Sequence, residues 1–455
     1  MRILLCNPKN SQGTKHSRKG MYVPLGILSI ATYLKQNLDD QVEIDVCDED
    51  VEVLKVDSLQ HYDLVGFYST TFNYGQAVQY AYFANEYGCI TVLGGPHPSI
   101  LANNIMNNRN CFDYIIKFEA ELPFLKLVQY LSGDGNIDLF DIPNLVYKSA
   151  DGNVTCNNKF HENKLEELPI PSRDFVPFDL YVDNYKKIYP DKGHTRPGSI
   201  YSSKGCSWRD KTGGCVFCAR LEEGTRFRDI NQIWTEIQLL RDKYDVNSIW
   251  DISDDNLNNR DWFKDFAKRR PTGCKDLSFF IYSRVNYIRP DIIEYFKELN
   301  VEEVFLGVES GDDKLLKSSF KGQTRKSIMG AIKLLKDNNI RYFPSFVLGL
   351  PGESEESLIN TYNLCKDIAE LGGLDRISTT ILKPIPGSKS FEMVLNKTKY
   401  GKDLLRMDEV DLAFLEKYWV NQFTDVDYNV ILEYKENVDS LMSKYSVFGG
   451  SVYEE

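Results

Sequence analysis

Twice along this chain, short runs of β-branched and aromatic residues alternate with longer stretches of helical apolar spacing, which confines it to parallel sheets covered by helices. In the first run, strands are expected at Arg2–Cys6, Val42–Val46, Leu64–Phe67, Thr91–Leu93 and Tyr114–Ile116. Helices are expected at Leu25–Gln36, Tyr74–Tyr87 and Leu122–Leu131. This is the pattern of a doubly wound, Rossmann-like α/β domain, whose ligand crevice lies beyond the carboxyl ends of the strands. The loops Ser69-Thr70-Thr71 and Gly94-Gly95-Pro96-His97 fall there.

The alternation breaks at a hairpin, Asn144–Tyr147 and Val154–Cys156 around Asp151-Gly152, and then at a Pro-, Asp- and Tyr-rich stretch read as a surface connector, Leu168–Pro197. It resumes with strands near Ile200–Ser202, Ser248–Ile252, Ser278–Tyr282, Glu303–Leu306, Arg341–Val347 and Ile377–Ile381. Helices are expected between them at Gln232–Lys243, Trp262–Lys268, Asp291–Leu299, Gln323–Asn338 and Glu355–Leu371. Six such strands suffice to curve a parallel sheet into a partial (β/α)6 barrel with its chemistry at the carboxyl edge. The expected organisation is a first domain over 1–140, hairpin and connector over 141–194, partial barrel over 195–390 and a helical C-terminal tail over 391–455.

With 42% hydrophobic and 26% charged residues the composition is that of a globular protein, and no apolar run reaches bilayer length. A cytoplasmic protein that neither enters a membrane nor follows a signal peptide is expected. A net charge of −12 without a basic stripe argues against nucleic acid as a partner. Ten cysteines, irregularly spaced except for one cluster, fit a reducing compartment rather than a disulfide framework.

That cluster, Cys206, Cys215 and Cys218, follows the first strand of the second run. A loop-borne cysteine with a close Cys-x-x-Cys pair suits a soft metal or an iron-sulfur centre. Three thiolates without a neighbouring fourth ligand leave one metal corner open for a substrate. Two other readings stand beside this one: ordinary buried cysteines, and a zinc site completed by a distant residue such as His194.

The stretch Ser203-Lys204-Gly205-Cys206 through Cys215-Val216-Phe217-Cys218 resembles the signature of the radical S-adenosylmethionine (SAM) superfamily. The resemblance implies that these cysteines bind a 4Fe-4S cluster and that Phe217 lies near the adenine. The sequence departs from the pattern in having eight residues, not three, between the first two cysteines. Loop-closure entropy puts the difference at only about 0.9 kcal/mol. Further segments agree in order: Asp254-Asp255-Asn256, which resembles the acidic stretch holding the methionine amino group; Tyr282-Ser283-Arg284, with Ser283 and Arg284 as cofactor contacts; Gly307-Val308-Glu309-Ser310-Gly311, with Glu309 near the ribose; Gly349-Leu350-Pro351-Gly352-Glu353, with Gly349 and Leu350 at the cofactor; and Pro384-Ile385-Pro386-Gly387-Ser388.

The first domain is similar to the cobalamin-binding domain that precedes the barrel in one class of these enzymes. The matching residues are Val23-Pro24-Leu25-Gly26-Ile27-Leu28, Asp63-Leu64-Val65-Gly66, Ser69-Thr70-Thr71, Gly94-Gly95-Pro96-His97-Pro98, Asp113-Tyr114-Ile115-Ile116, Glu119 and Glu121, and the Leu168-Pro169-Ile170-Pro171 connector. Ser69, Thr70, Thr71, Gly94, Gly95, Pro96, His97 and Glu119 are the cobalamin contacts this implies. Where the family has Gly-Glu-Gly-Glu, this chain has Phe118-Glu119-Ala120-Glu121, and it lacks an Asp-x-His-x-x-Gly segment to ligate cobalt from below. His97, in a turn rich in Gly and Pro, reads as a loop contact rather than a cobalt ligand.

The resemblance implies an anaerobic enzyme that splits SAM to a 5'-deoxyadenosyl radical and methylates an unactivated carbon of a small metabolite or peptide by way of cobalamin. An external low-potential electron donor such as flavodoxin or ferredoxin would supply it. A radical rearrangement, cyclisation or ring change without methyl transfer is the first alternative. A zinc-stabilised binding protein without catalysis is the second. No Ser-His-Asp constellation competes with these readings.

Overall fold

The structure, a computed structural model, describes residues 1–12, 20–38, 42–133, 135–162 and 164–445. It divides into two compact units, Met1–Tyr185 with Leu395–Leu412, and Lys186–Val394 with Ala413–Glu455.

The first unit is built on β1 (Arg2–Asn7), α1 (Leu25–Asn37), β2 (Glu43–Asp48), β3 (Leu64–Tyr68), α2 (Tyr74–Glu86), β4 (Ile90–Gly94), α3 (Pro96–Asn108), β5 (Tyr114–Ile116), α4 (Glu121–Leu131), β6 (Leu145–Lys148), β7 (Val154–Cys156) and α5 (Phe178–Ile188). Its sheet has the order β2-β1-β3-β4-β5-β6-β7, parallel through β5 and antiparallel beyond. The parallel part follows the flavodoxin-like order, whose switch point lies between β1 and β3. The hairpin thus extends the first sheet.

Two stretches differ from expectation. Pro96 and His97, read as the end of a loop, instead open a helix over residues 96–108 to which no element was assigned from the sequence. Four asparagines obscure its signal, yet Leu101, Ala102, Ile105 and Met106 recur at helical spacing and are buried. Pro96 is tolerated because the first helical turn leaves its N–H positions unbonded in any case. The surface connector contains α5, which buries Phe178, Tyr181, Val182 and Tyr185, while the Tyr181 hydroxyl donates to Asp48 Oδ2 at 2.7 Å.

The second unit begins with β8 (Pro197–Ile200), β9 (Ser203–Lys204), α6 (Ser207–Thr212), β10 (Arg226–Phe227), α7 (Ile230–Tyr244), β11 (Ser248–Asp251), α8 (Arg260–Lys268), β12 (Ser278–Arg284) and α9 (Pro290–Glu298). It continues with β13 (Val301–Glu309), α10 (Asp313–Ser318), α11 (Arg325–Asp337), β14 (Arg341–Leu348), α12 (Glu355–Leu371), β15 (Ser378–Ile381) and α13 (Lys389–Lys397). After α14 (Gly401–Leu404), in the first unit, the last described elements are α15 (Leu412–Phe423) and α16 (Tyr428–Tyr445).

Six parallel strands in the order β15-β14-β13-β12-β11-β8 form a curled half-barrel sheet. Its first strand ends at Ile200, earlier than expected, because the next backbone donors turn elsewhere: the N–H groups of Ser202 and Ser203 donate to Ser253 Oγ at 2.9 and 3.0 Å. One face lies under helices, with Phe279 against Trp234 and Phe266. The opposite face carries a continuous aromatic stripe in which Trp250, Phe280, Tyr282, Phe305 and Phe343 contact in sequence, with ring centroids 4.7 to 5.1 Å apart. At the amino ends of the strands Lys192 reaches Glu303 and Asp375, each at 3.0 Å, with Arg376 beside both acids. Among the described residues no helix is long and apolar enough to cross a membrane.

Candidate active site

All the segments singled out in the second run lie at or just past the carboxyl ends of their strands. The cysteine loop is a closed excursion. It leaves from β9 and returns through β10, which pair antiparallel with Lys204 opposite Arg226. Gly205 permits the departure: φ is +90°, and a Cβ there would lie 2.1 Å from the Gly224 carbonyl oxygen. Asn258 clamps the next peptide, donating from Nδ2 to Gly205 O at 2.9 Å and accepting from Ser207 N at 3.0 Å through Oδ1.

The long spacing between the first two cysteines is helical. Cys206 is the N-cap residue of α6, and Gly213 and Gly214, both with positive φ, turn the chain toward Cys215. Six helical residues rise only about 9 Å, so the added residues are folded into a compact turn instead of a slack loop. Cys215 and Cys218 are joined by a tight turn, Cys218 N donating to Cys215 O at 3.2 Å.

Two guanidinium groups face the thiols. Arg209 Nη2 lies 2.9 Å from Cys218 Sγ, and Arg284 Nη1 lies 3.8 Å from Cys215 Sγ. Arg284 also donates to the Lys321 carbonyl and stacks on Trp208, its guanidinium carbon 4.5 Å from the ring centroid. Burial pushes the Cys206 thiol up, opposed in part by backbone N–H groups of Arg209 and Trp208. Among the described residues no group of at least three His, Cys, Asp or Glu side chains converges as a single metal ion would require. A four-iron cube spaces its thiolates more widely than a lone ion does, and the donor chemistry of three cysteines beside two cations suits it. His194 cannot complete a zinc site with them, because it precedes β8 at the amino end of the sheet, where its carbonyl accepts from Asn247.

The acidic pair divides its work. Asp255 is spent on the fold, its carboxylate accepting from the N–H groups of Leu257 and Arg284, and burial pushes it up to about 7. Asp254 pairs with Arg220 through Oδ1 at 3.1 Å and lies beside the Gly205 N–H, while among the described residues its buried Oδ2 accepts no hydrogen bond of good geometry. Such an orphaned oxygen suits an ammonium donor. Ser283 is buried, and its hydroxyl donates to the Arg284 carbonyl at 3.1 Å. Phe217 is half-buried beside Cys218.

Glu309 ends β13 in the left-handed region, with φ +70°, and accepts from Lys321 Nζ at 2.7 Å, both side chains buried. The pair fills the space over Gly307, where a Cβ would lie 2.6 Å from that ammonium. Gly349, with φ +80°, opens the Gly-Leu-Pro-Gly-Glu turn, in which Leu350 is fully buried and Glu353 accepts from Gly349 N at 3.2 Å. Arg209, Trp208, Asn258 and Lys321 were not singled out in the sequence; only the atypical cysteine spacing hinted at the first two.

In the first unit, Ser69-Thr70-Thr71 and Gly94-Gly95 meet at the carboxyl edge. Gly95 has φ +107°, and a Cβ there would lie 2.5 Å from Ser69 O. Ser69 N donates to Gly94 O at 2.7 Å. The three hydroxyls serve the protein itself: Ser69 bonds Thr70 O, Thr70 bonds Asn73 Oδ1 and Thr71 bonds His97 Nδ1. The other ring nitrogen of His97 meets Asp408 O at 2.8 Å, and burial pulls the imidazole down to about 4, so it is neutral and fully engaged. Glu119 accepts from Glu162 N and opens, with Glu121, Glu162 and Glu167, into a pocket of about 90 Å³, far below corrin size. Phe118 has φ +57°, which explains why glycine is usual at that place. The edge itself is glycine backbone: Gly94 and Gly95 are partly exposed, and a Cβ on Gly94 would make only an ordinary contact with Ile116 O at 3.6 Å. That suits a broad ligand held by backbone and shape.

Comparison with known proteins agrees with this division. Residues 200–365 match the radical SAM superfamily, and residues 13–128 match the B12 binding domain. An uncharacterized methyltransferase of Pyrococcus horikoshii is 28% identical over 406 residues, spanning 87% of this chain and 83% of that protein. The anaerobic magnesium-protoporphyrin IX monomethyl ester cyclase of Rubrivivax gelatinosus is 25% identical over 460 residues, 98% of this chain and 77% of that protein. Among solved structures, the radical SAM methyltransferase TsrM from Kitasatospora setae, with cobalamin and a 4Fe-4S cluster bound, superposes with a TM-score of 0.68 at 15% identity, over 87% of this chain and 79% of that one.

Proposed function

This chain belongs to the radical SAM superfamily through residues 200–365 and carries a B12 binding domain over residues 13–128, and we propose on that premise that it methylates an unactivated carbon of a small molecule or peptide. The observation that carries the proposal is the pairing of these two cofactor folds in one chain. When bound, the cluster supplies the electron that splits SAM, and cobalamin the methyl group.

In this reading Cys206, Cys215 and Cys218 hold the cluster, and their carbonyl and amide neighbours keep the loop closed. Asp254 Oδ2 accepts the methionine ammonium, Phe217 lies by the adenine, and Glu309, oriented by Lys321, takes ribose hydroxyls. Gly349 and Leu350 set the turn at the end of β14 that borders the SAM site, and Ser283 and Arg284 order the end of β12. The aromatic stripe on the sheet face opposite Phe279, largely buried, would exclude water from the radical's path. Ser69, Thr70, Thr71, Gly94, Gly95, Pro96 and His97 shape the cobalamin edge, and Glu119 closes its flank. A cytoplasmic flavodoxin or ferredoxin is the electron source.

Ring formation without methyl transfer is the second reading, favoured by the relative named as a cyclase, whose match spans 98% of this chain. The two are separated by product mass after anaerobic turnover, where a gain of one methyl supports methylation and an unchanged carbon count removes it. Cys215→Ala or Cys218→Ala is expected to abolish 5'-deoxyadenosine formation. Wild-type levels in either variant would remove the cluster assignment.

A further inference from the structure

The eight residues separating Cys206 from Cys215 are folded as a helix that places an arginine on the third cysteine. From this geometry we propose that the span 207–214 is an electrostatic insert, in which Arg209 donates a charge-assisted N–H···S bond to Cys218 and raises the reduction potential of the cluster. The inference rests on the three cysteines being cluster ligands.

Arg209 is held in place at both ends. Its Nη1 lies 3.4 Å from Glu222 O, on the strand-return side of the loop, while Nη2 meets Cys218 Sγ at 2.9 Å. Its stem packs over Gly214, where a Cβ would lie 3.2 Å from Arg209 Cγ. The residue before it anchors the insert: Trp208 Nε1 donates to Phe320 O at 2.7 Å, and the indole occupies the space over Gly322, where a Cβ would lie 2.2 Å away. Trp208 also lies against Arg284, which reaches Cys215. A three-residue spacing has no room for this helix, so the contacts made by Arg209 and Trp208 belong to the lengthened loop.

A positive charge and an N–H donor at a ligating sulfur stabilise the cluster form carrying one more electron, so potential rises with each. For an enzyme whose first step is electron uptake, the consequence is that a weaker donor suffices to reduce the resting cluster.

The test is an EPR-monitored redox titration of anaerobically reconstituted full-length protein without SAM, alongside iron and sulfide analysis. Arg209→Gln is expected to hold wild-type iron and sulfide with a more negative midpoint potential, and Arg209→Lys to lie between it and wild type. A loaded Gln variant with an unchanged potential overturns the proposal. If the Gln variant holds no iron, the Lys variant decides: loading with a potential measurably below wild type supports the proposal, while loading with an unchanged potential, or failure of both variants to load, overturns it. Absence of any cluster in wild type would instead remove the underlying assignment.

Discussion

Trp419 donates its indole N–H to the carbonyl of Gly349 at 2.7 Å, so a helix from the far end of the chain holds the glycine turn at the end of β14. The same helix accepts Gly352 N at Phe423 O, 2.8 Å away, and Asp425 N just beyond it donates to Glu353 O. The C-terminal helices, which carry no motif, are therefore part of the support of the proposed SAM site.

Trp419→Phe would leave the buried Gly349 carbonyl without its donor. A loss of about 1–3 kcal/mol is expected in urea unfolding, and Trp419→Ala should cost more, about 3–5 kcal/mol. Equal stability of the phenylalanine variant and wild type would show that the bond contributes nothing.

Glu353 is buried, and burial pushes its carboxyl up from 4.5 to about 7 against the lowering effect of Ser357 and Gly349. Between these values the folded protein keeps a proton that the unfolded chain releases. The stability present below pH 4.5 is therefore lost as pH rises through about 7. Glu353→Gln should flatten that decline, by up to ~3 kcal/mol, when denaturation midpoints are compared between pH 5 and 8. Parallel pH profiles for the two proteins would contradict the assignment.

Phe118 holds a left-handed backbone conformation while its ring lies 4.3 Å from Lys159 Nζ. Glycine there loses the ring contact and gains conformational freedom; valine keeps the strain and adds a β-branch. Phe118→Gly is expected to be at least about 1 kcal/mol more stable than Phe118→Val, with corrinoid retention no lower than wild type. Thermal melts and absorbance of the purified protein measure both.

Lys192 is 6% exposed and neutralises Glu303 and Asp375 together. Lys192→Met removes a charge but leaves two buried carboxylates to Arg376 and Arg341, at a cost of about 3 kcal/mol. The melting temperature should drop while the potential and loading of the cluster stay unchanged, since the network lies at the amino ends of the strands. A variant as stable as wild type would mean the arginines suffice.

The sequence alone determined the two alternating α/β patterns, the cysteine triplet and the strand-end segments, because each rests on local spacing: apolar periodicity sets strands and helices, and turns need glycine. Its reading of Glu355–Leu371 as a helix matches the observed bounds. The helix at 96–108 and the amphipathic α5 escaped it, since their polar composition outweighed a short apolar stripe that only packing reveals. Tertiary structure alone decided which acid of the pair keeps an unpartnered oxygen, that both His97 nitrogens are engaged, and that Arg209 and Arg284 face the thiols. These depend on residues brought together from distant positions, and in a low-dielectric interior a charge's worth is set by which neighbours stand within a few ångströms, a quantity no local pattern encodes.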